Sequence, residues 1–165
     1  IEAHWLFNLH VDQIDIVIHP QSIVHSMVEF LDGSVKAQLG VPDMKIPIQY
    51  ALTYPDHLKA SWEKLDLTKI NNLTFEKPDL QKFPCIQLAY EALNKGGTCP
   101  VVLNVANDEV VAAFLNEFIQ FRDIPILIES ALGQHEYIKN PDLNIISATK
   151  KWTSNFIQEK ITINA

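Results

Sequence analysis

Apolar and polar positions follow a strand period in the first third of this chain and a helical period in its second half. Ile14-Asp15-Ile16-Val17-Ile18 is a β-branched run and predicts a strand. Pro20 breaks it, because proline lacks a ladder donor and biases His19 to an extended shape. Two further strand-like runs flank Asp32-Gly33, a dipeptide suited to a two-residue type I′ turn. That turn predicts a register in which Leu31 faces Ser34, Phe30 faces Val35, Glu29 faces Lys36, Val28 faces Ala37, Met27 faces Gln38 and His25 faces Gly40. The apolar pairs Phe30/Val35 and Val28/Ala37 then share one face, and the opposite charges Glu29 and Lys36 meet on the other. The sheet so predicted has at least three strands and is incomplete.

A short helix is expected over Ile46–Thr53, with Pro47 in its first turn and Tyr54-Pro55 at its end. From Asp56 to Lys82 the chain is polar and aperiodic. It reads as an extended linker with strand-like pieces at Leu65-Asp66-Leu67 and Leu73-Thr74-Phe75. Beyond it the period becomes helical. Pro84 opens a helix with Ile86, Ala89, Tyr90 and Leu93 on one face, closed by Gly96-Gly97. Pro100 to Phe118 is apolar nearly all round, as a central bundle helix is. Asp123 is expected to cap a third helix carrying Ile124, Leu127, Ile128, Ala131 and Leu132, which Gly133 stops or weakens. Ser147 is expected to cap a fourth, carrying Ala148, Trp152 and Phe156. The fold class is therefore α+β: a partial β-sheet with a hairpin, an extended linker, then an α-helical bundle.

Composition narrows the function classes. The chain has 165 residues, 47% of them hydrophobic, and a net charge of −7. Nucleic acid and anionic membranes demand clustered Lys/Arg, and Lys150-Lys151 is the only adjacent basic pair. No apolar run approaches the roughly 20 residues of a transmembrane helix. The two cysteines, Cys85 and Cys99, match no zinc or redox spacing and imply a reducing, cytoplasmic setting. Ile1 to Phe7 reads as the last turns of a helix without a start signal, so the chain is expected to begin inside a larger protein.

Candidate chemistry is sparse. There is no glycine-rich phosphate loop, no G-x-S-x-G and no H-E-x-x-H. The hairpin register places His25 on the polar face at the open end of the ladder, which runs into Gly40-Val41-Pro42-Asp43-Met44. A histidine beside a Gly/Pro loop on a rigid scaffold is a candidate site; the plain alternative is a partly covered sheet histidine. A metal site would need His19, His25 and Asp43 together. Asn104, Asn107 and Asp108 form a polar patch best read as structural hydrogen bonding.

Longer strings add to this reading. Glu2-Ala3-His4-Trp5-Leu6-Phe7, Ile18-His19-Pro20-Gln21-Ser22, His25-Ser26-Met27, Asp32-Gly33-Ser34, Gln38-Leu39-Gly40, Pro42-Asp43-Met44, Leu73-Thr74-Phe75, Pro84-Cys85, Leu103-Asn104 and Ala106-Asn107 closely resemble the 1-deoxy-D-xylulose 5-phosphate reductoisomerase family. The resemblance covers essentially the whole chain. It implies an NADPH-dependent enzyme of non-mevalonate isoprenoid biosynthesis, assisted by Mg²⁺ or Mn²⁺, acting on a phosphosugar as a homodimer. It also implies that residues 1–53 end the catalytic domain, 54–79 are the linker and 80–165 are the C-terminal helical domain. By resemblance His25 is an orienting residue, and Pro42, Asp43 and Met44 cover substrate and cofactor. The family's NADPH fingerprint and metal ligands have no counterpart in this chain. It alone is therefore expected to be inactive, with no cofactor or metal bound. The reading from another class is a non-catalytic helical assembly or interaction module.

Overall fold

The computed structural model describes residues 1–164; Ala165, the last residue of the expected helical domain, lies outside them. In chain order the elements are α1 (Glu2–Phe7), β1 (Val24–Glu29), β2 (Val35–Leu39), α2 (Lys45–Thr53), α3 (Cys85–Lys95), α4 (Cys99–Leu115), α5 (Asp123–Gln134) and α6 (Leu143–Asn164). Short 3₁₀ turns occur at Val11–Gln13 and Leu67–Lys69. The chain is α+β, and it forms two compact units: residues 1–15 with the helices from Asp79 onward, and residues 16–78.

In the helical unit, α4 packs against α3, α5 and α6. Leu88, Val102, Ala106, Val110, Ile124, Leu127, Ile128, Ala131 and Ile157 form the core. The expected faces of two helices are offset. On α3 the buried positions are Leu88 and Ala92, while Ile86, Ala89, Tyr90 and Leu93 are half-covered. On α6 the buried line is Thr149, Thr153 and Ile157; Ala148 is exposed, and Trp152 and Phe156 flank the core. The helix begins before Ser147 because Asp142 caps it, accepting a hydrogen bond from Ile145 N at 2.8 Å. Thr153 belongs to the buried line because its hydroxyl donates to the Thr149 carbonyl at 2.9 Å. Gly133 does not stop α5, which continues to Gln134. Asp123 stands inside α5, with Arg122 at the cap position, and its carboxylate accepts from Gln120 N at 2.8 Å. Helix α4 ends at Leu115, earlier than Phe118. Glu117 takes a left-handed φ of 63°, Phe118 N donates to Ala113 O, and Glu117 N donates to Phe114 O. Those two bonds are a Schellman ending.

The first fifteen residues share this unit, although the sequence division grouped them with the hairpin. Val11 is buried, and Tyr90 donates to the Ile14 carbonyl at 2.8 Å. Ile14–Ile18 does not form a strand. Ile14 N closes the 3₁₀ turn onto Val11 O, and only Ile18 is in a β-bridge, an isolated antiparallel one to Glu76.

The other unit holds a two-stranded sheet, β1–β2, in place of three strands. Its register differs by one residue from the expected one: Ser26 opposes Gln38, Met27 opposes Ala37, Val28 opposes Lys36 and Glu29 opposes Val35. The turn chemistry is the cause. A type I′ turn needs positive φ at both central residues, and only Gly33 adopts it, at 79°. Phe30 O accepts from Gly33 N and Phe30 N donates to Ser34 O, so the loop is Leu31-Asp32-Gly33. Asp32 fixes it by accepting from Ser34 N at 2.9 Å and Ser34 Oγ at 2.6 Å, and these bonds hold its carboxyl below the usual range. Apolar and polar pairs are consequently mixed between the faces. Lys36 lies 5.4 Å above the Phe30 ring. Helix α2 begins one residue before its expected start. Asp66 caps the 3₁₀ turn at Leu67–Lys69 through Thr68 N at 3.0 Å, which replaces the strand-like piece expected there.

Candidate functional site

The register is interrupted between Val24 and Ser26, so that His25 is the extra residue of a β-bulge. A bulge re-aims a side chain, and here it sets His25 beside the end of β2. A Cβ added to Gly40 would lie 3.4 Å from His25 Nε2. Gly40 itself is tied to β1 by its N–H, which donates to Ile23 O at 3.0 Å. The neighbourhood expected from a plain two-residue turn is thus present by another route: the bulge carries the pairing one residue further from the expected register, with Val24 opposing Leu39, and it is the His25 side chain that reaches Gly40.

A cleft of about 350 Å³ opens here, its walls including Ser22, His25, Gly40, Pro42, Asp43 and Met44. All four residues singled out from the sequence, His25, Pro42, Asp43 and Met44, line it. His25 is exposed, and an imidazole can donate to, or accept from, a polar group in such a cleft. Met44 is 69% exposed and offers a flexible apolar surface. Asp43 is engaged in local structure: its carboxylate accepts from Lys45 N at 2.9 Å and lies 3.5 Å from Lys45 Nζ. It anchors the start of α2, which carries Ile46 and Pro47 into the wall.

Ser22 escaped the sequence reading. It lines the cleft with a left-handed φ of 50°. The turn that presents it, His19-Pro20-Gln21-Ser22, is closed by Ser22 N donating to His19 O at 3.0 Å. The signal available was Pro20, a turn former at that position.

His19 is not at the cleft. Its Nδ1 lies 2.8 Å from Thr74 O, and its ring stacks on Phe75 with centroids 4.6 Å apart. Among the described residues no three His, Cys, Asp or Glu side chains are placed to hold a metal ion, so His19, His25 and Asp43 do not form a metal site. Among the described residues the one sheet is an antiparallel pair, with no βαβ unit of the kind that carries a dinucleotide fingerprint.

In the helical unit, Asn104 donates to Asp108 at 3.4 Å. Both border a separate open cleft of about 1000 Å³ that also includes His4 and Trp5. His4 Nδ1 is occupied by Leu9 O at 2.6 Å. Burial, and then the Lys95 charge, push the His135 imidazole below the ordinary histidine range, with Glu136 opposing them. Burial raises the Cys85 and Cys99 thiols, which makes them poor nucleophiles.

Comparison with known proteins shows the family of the chain. The family model described as DXP reductoisomerase C-terminal domain matches residues 39–156. The chain belongs to that family. It is 54% identical over 159 residues to the 1-deoxy-D-xylulose 5-phosphate reductoisomerase of Acetivibrio thermocellus, covering 96% of this chain and 42% of that protein. It is 63% identical over 136 residues to the reductoisomerase of Chloroherpeton thalassium, covering 82% of this chain and 35% of that one. The chain thus spans well under half the length of these curated relatives. Among solved structures, the Zymomonas mobilis reductoisomerase in complex with NADPH superposes with a TM-score of 0.87 at 39% identity, covering 97% of this chain and 42% of that one. A DOX-P reductoisomerase in complex with NADPH, fosmidomycin and magnesium gives 0.89 at 40% identity, covering 98% and 42%. The cleft with His25, Gly40 and the Pro42–Met44 loop thus lies in a chain of the DXP reductoisomerase C-terminal domain family.

Proposed function

We propose that this chain serves in an NADPH- and divalent-metal-dependent reductoisomerase. The enzyme converts 1-deoxy-D-xylulose 5-phosphate to 2-C-methyl-D-erythritol 4-phosphate for non-mevalonate isoprenoid biosynthesis, as a cytoplasmic homodimer. The observation that carries this is 54% identity across 96% of the chain to a reductoisomerase. In this reading residues 1–53 complete the catalytic domain, 54–79 form the linker and the remainder is the C-terminal helical domain. NADPH and Mg²⁺ or Mn²⁺ are held by residues outside this chain, which alone does not turn over substrate. When bound, NADPH would supply the hydride for the reductive part of this conversion, while the residues of this chain would hold and cover the substrate. His25 orients the substrate by hydrogen bonding. Pro42 and Met44 cover the reacting groups and exclude water, which strengthens polar interactions in the closed site. Asp43 keeps that loop in place through Lys45.

The test is NADPH oxidation with 1-deoxy-D-xylulose 5-phosphate and Mn²⁺, on this chain and on a full-length protein that contains it. Activity of the full-length protein alone supports the proposal. A silent full-length protein points to a non-catalytic helical assembly module. Turnover by this chain alone refutes the division of labour described.

A further inference from the structure

Ser22 and His25 reach the cleft from a turn that is anchored on a segment more than fifty residues away in sequence. Ile18 and Glu76 exchange two backbone hydrogen bonds, each 2.9 Å. His19 Nδ1 meets Thr74 O at 2.8 Å, and its ring stacks on Phe75 at an interplanar angle of 17°. Gln21 grips Thr74 from two sides. Its Oε1 accepts from Thr74 N at 3.2 Å, and its Nε2 donates to Thr74 Oγ1 at 2.8 Å.

We infer that His19 and Gln21 are positioning residues, which act through Thr74 and Phe75 to hold the turn that delivers Ser22 and His25 to the cleft. The inference rests on the proposed reductoisomerase function. A carbonyl oxygen can only accept, so the His19 nitrogen facing Thr74 O carries the proton. The contact therefore needs a donor at Nδ1. Nε2 is buried without a hydrogen-bond partner and takes no part. Every group of Thr74 that can hydrogen-bond is thus engaged by one turn. Ser22, immediately after Gln21, sits at a φ of 50°. A non-glycine residue holds such a conformation only where its surroundings over-determine it, and the clasp supplies that constraint. From Ser22 the chain passes directly into the bulge of His25, so slack in the turn displaces the imidazole.

The variants are His19→Ala, His19→Asn, Gln21→Ala and Thr74→Val. Asparagine can place an amide N–H close to the Nδ1 position, and valine keeps the branched shape of threonine while removing one hydroxyl remote from the cleft. In the full-length protein, His19→Ala, Gln21→Ala and Thr74→Val should lower kcat about tenfold or more with a smaller change in KM, as displacement of an orienting group does. His19→Asn should recover most of the loss. In this chain, the His25 ring resonances in ¹H–¹⁵N NMR spectra should move in the first three variants and return toward wild type in His19→Asn. An inactive wild-type full-length protein would defeat the proposed function, and the NMR arm would still decide the clasp. An active wild type with the variants within twofold of it, or with unmoved His25 resonances, overturns the inference. So does His19→Asn behaving like His19→Ala.

Discussion

Alanine at Gly97 should unfold the helical unit far more easily, and the structure sets the size of the effect. Gly97 has a φ of 56°, and a Cβ there would lie 2.3 Å from the Ile138 carbonyl oxygen and 2.8 Å from Tyr137 Cε2. The left-handed conformation alone costs alanine about 1–2 kcal/mol. The clash is with backbone, so the Tyr137–Ile138 segment must retreat. Two hydrogen bonds go with it: Thr98 N to Ile138 O at 3.0 Å and Ile138 N to Thr98 Oγ1 at 3.1 Å. Thr98 is fully buried, so each lost partner costs about 1 kcal/mol or more. The sum is about 3–5 kcal/mol, equivalent to a fall in Tm on the order of 10 °C for a chain of this length. Gly133 is the control: it lies inside α5 and a Cβ would meet nothing within 4 Å. Gly133→Ala should stabilise by about 0.5–1 kcal/mol through helix propensity. Urea denaturation followed by far-ultraviolet circular dichroism measures both. A Gly97→Ala midpoint at or above wild type, or the two variants shifting in the same direction, would refute the reasoning.

Three other outcomes are expected. Asp142→Ala should cost about 1 kcal/mol by removing the α6 cap, whereas Ser147→Ala should change the denaturation midpoint little, since Ser147 is exposed within the helix. His135 Nε2 lies 2.7 Å from Thr98 Oγ1 with its pKa depressed first by burial and then by Lys95. The unfolded chain thus binds the proton more readily, and His135's contribution to stability is fully present above the unfolded value of about 6.5 and lost as pH falls through the folded one. Chemical denaturation between pH 7 and 5 should show this slope, and His135→Gln should flatten it. Gly40→Ala adds a methyl 3.4 Å from His25 Nε2 at a φ that alanine tolerates. It should reduce kcat/KM of the full-length protein on the order of tenfold while leaving the Tm within about 2 °C; an unchanged kcat/KM would show that His25 Nε2 is not used.

Helical period and proline and glycine punctuation placed α2 through α5 within a few residues. These signals are local: a helix satisfies its own backbone, and its ends are set by nearby residues such as Gly96. The α6 cap was equally local, and Asp142 was legible there, but Ser147 offered the same chemistry five residues later. Which face of α3 or α6 is buried was not local. Leu88 and Ala92, and Thr149 and Thr153, are inside because α4 and α5 are where they are. The strand reading failed for a related reason. A β-branched run becomes a strand only if a partner strand lies along it, and in the run Ile14–Ile18 the β-pairing is the isolated bridge of Ile18 to Glu76. Hairpin register turned on one torsion, since Asp32 keeps a negative φ where type I′ needs a positive one, and the bulge then moved the pairing one residue further, leaving the His25 side chain to reach Gly40. Sequence by itself determined the α+β class, the family resemblance and the stretch that holds the cleft. Only the tertiary structure decided that Asp43 is engaged with α2, that Ser22 is in the wall and that Thr74 holds the turn, because these contacts join residues whose separation in sequence says nothing about their distance in space.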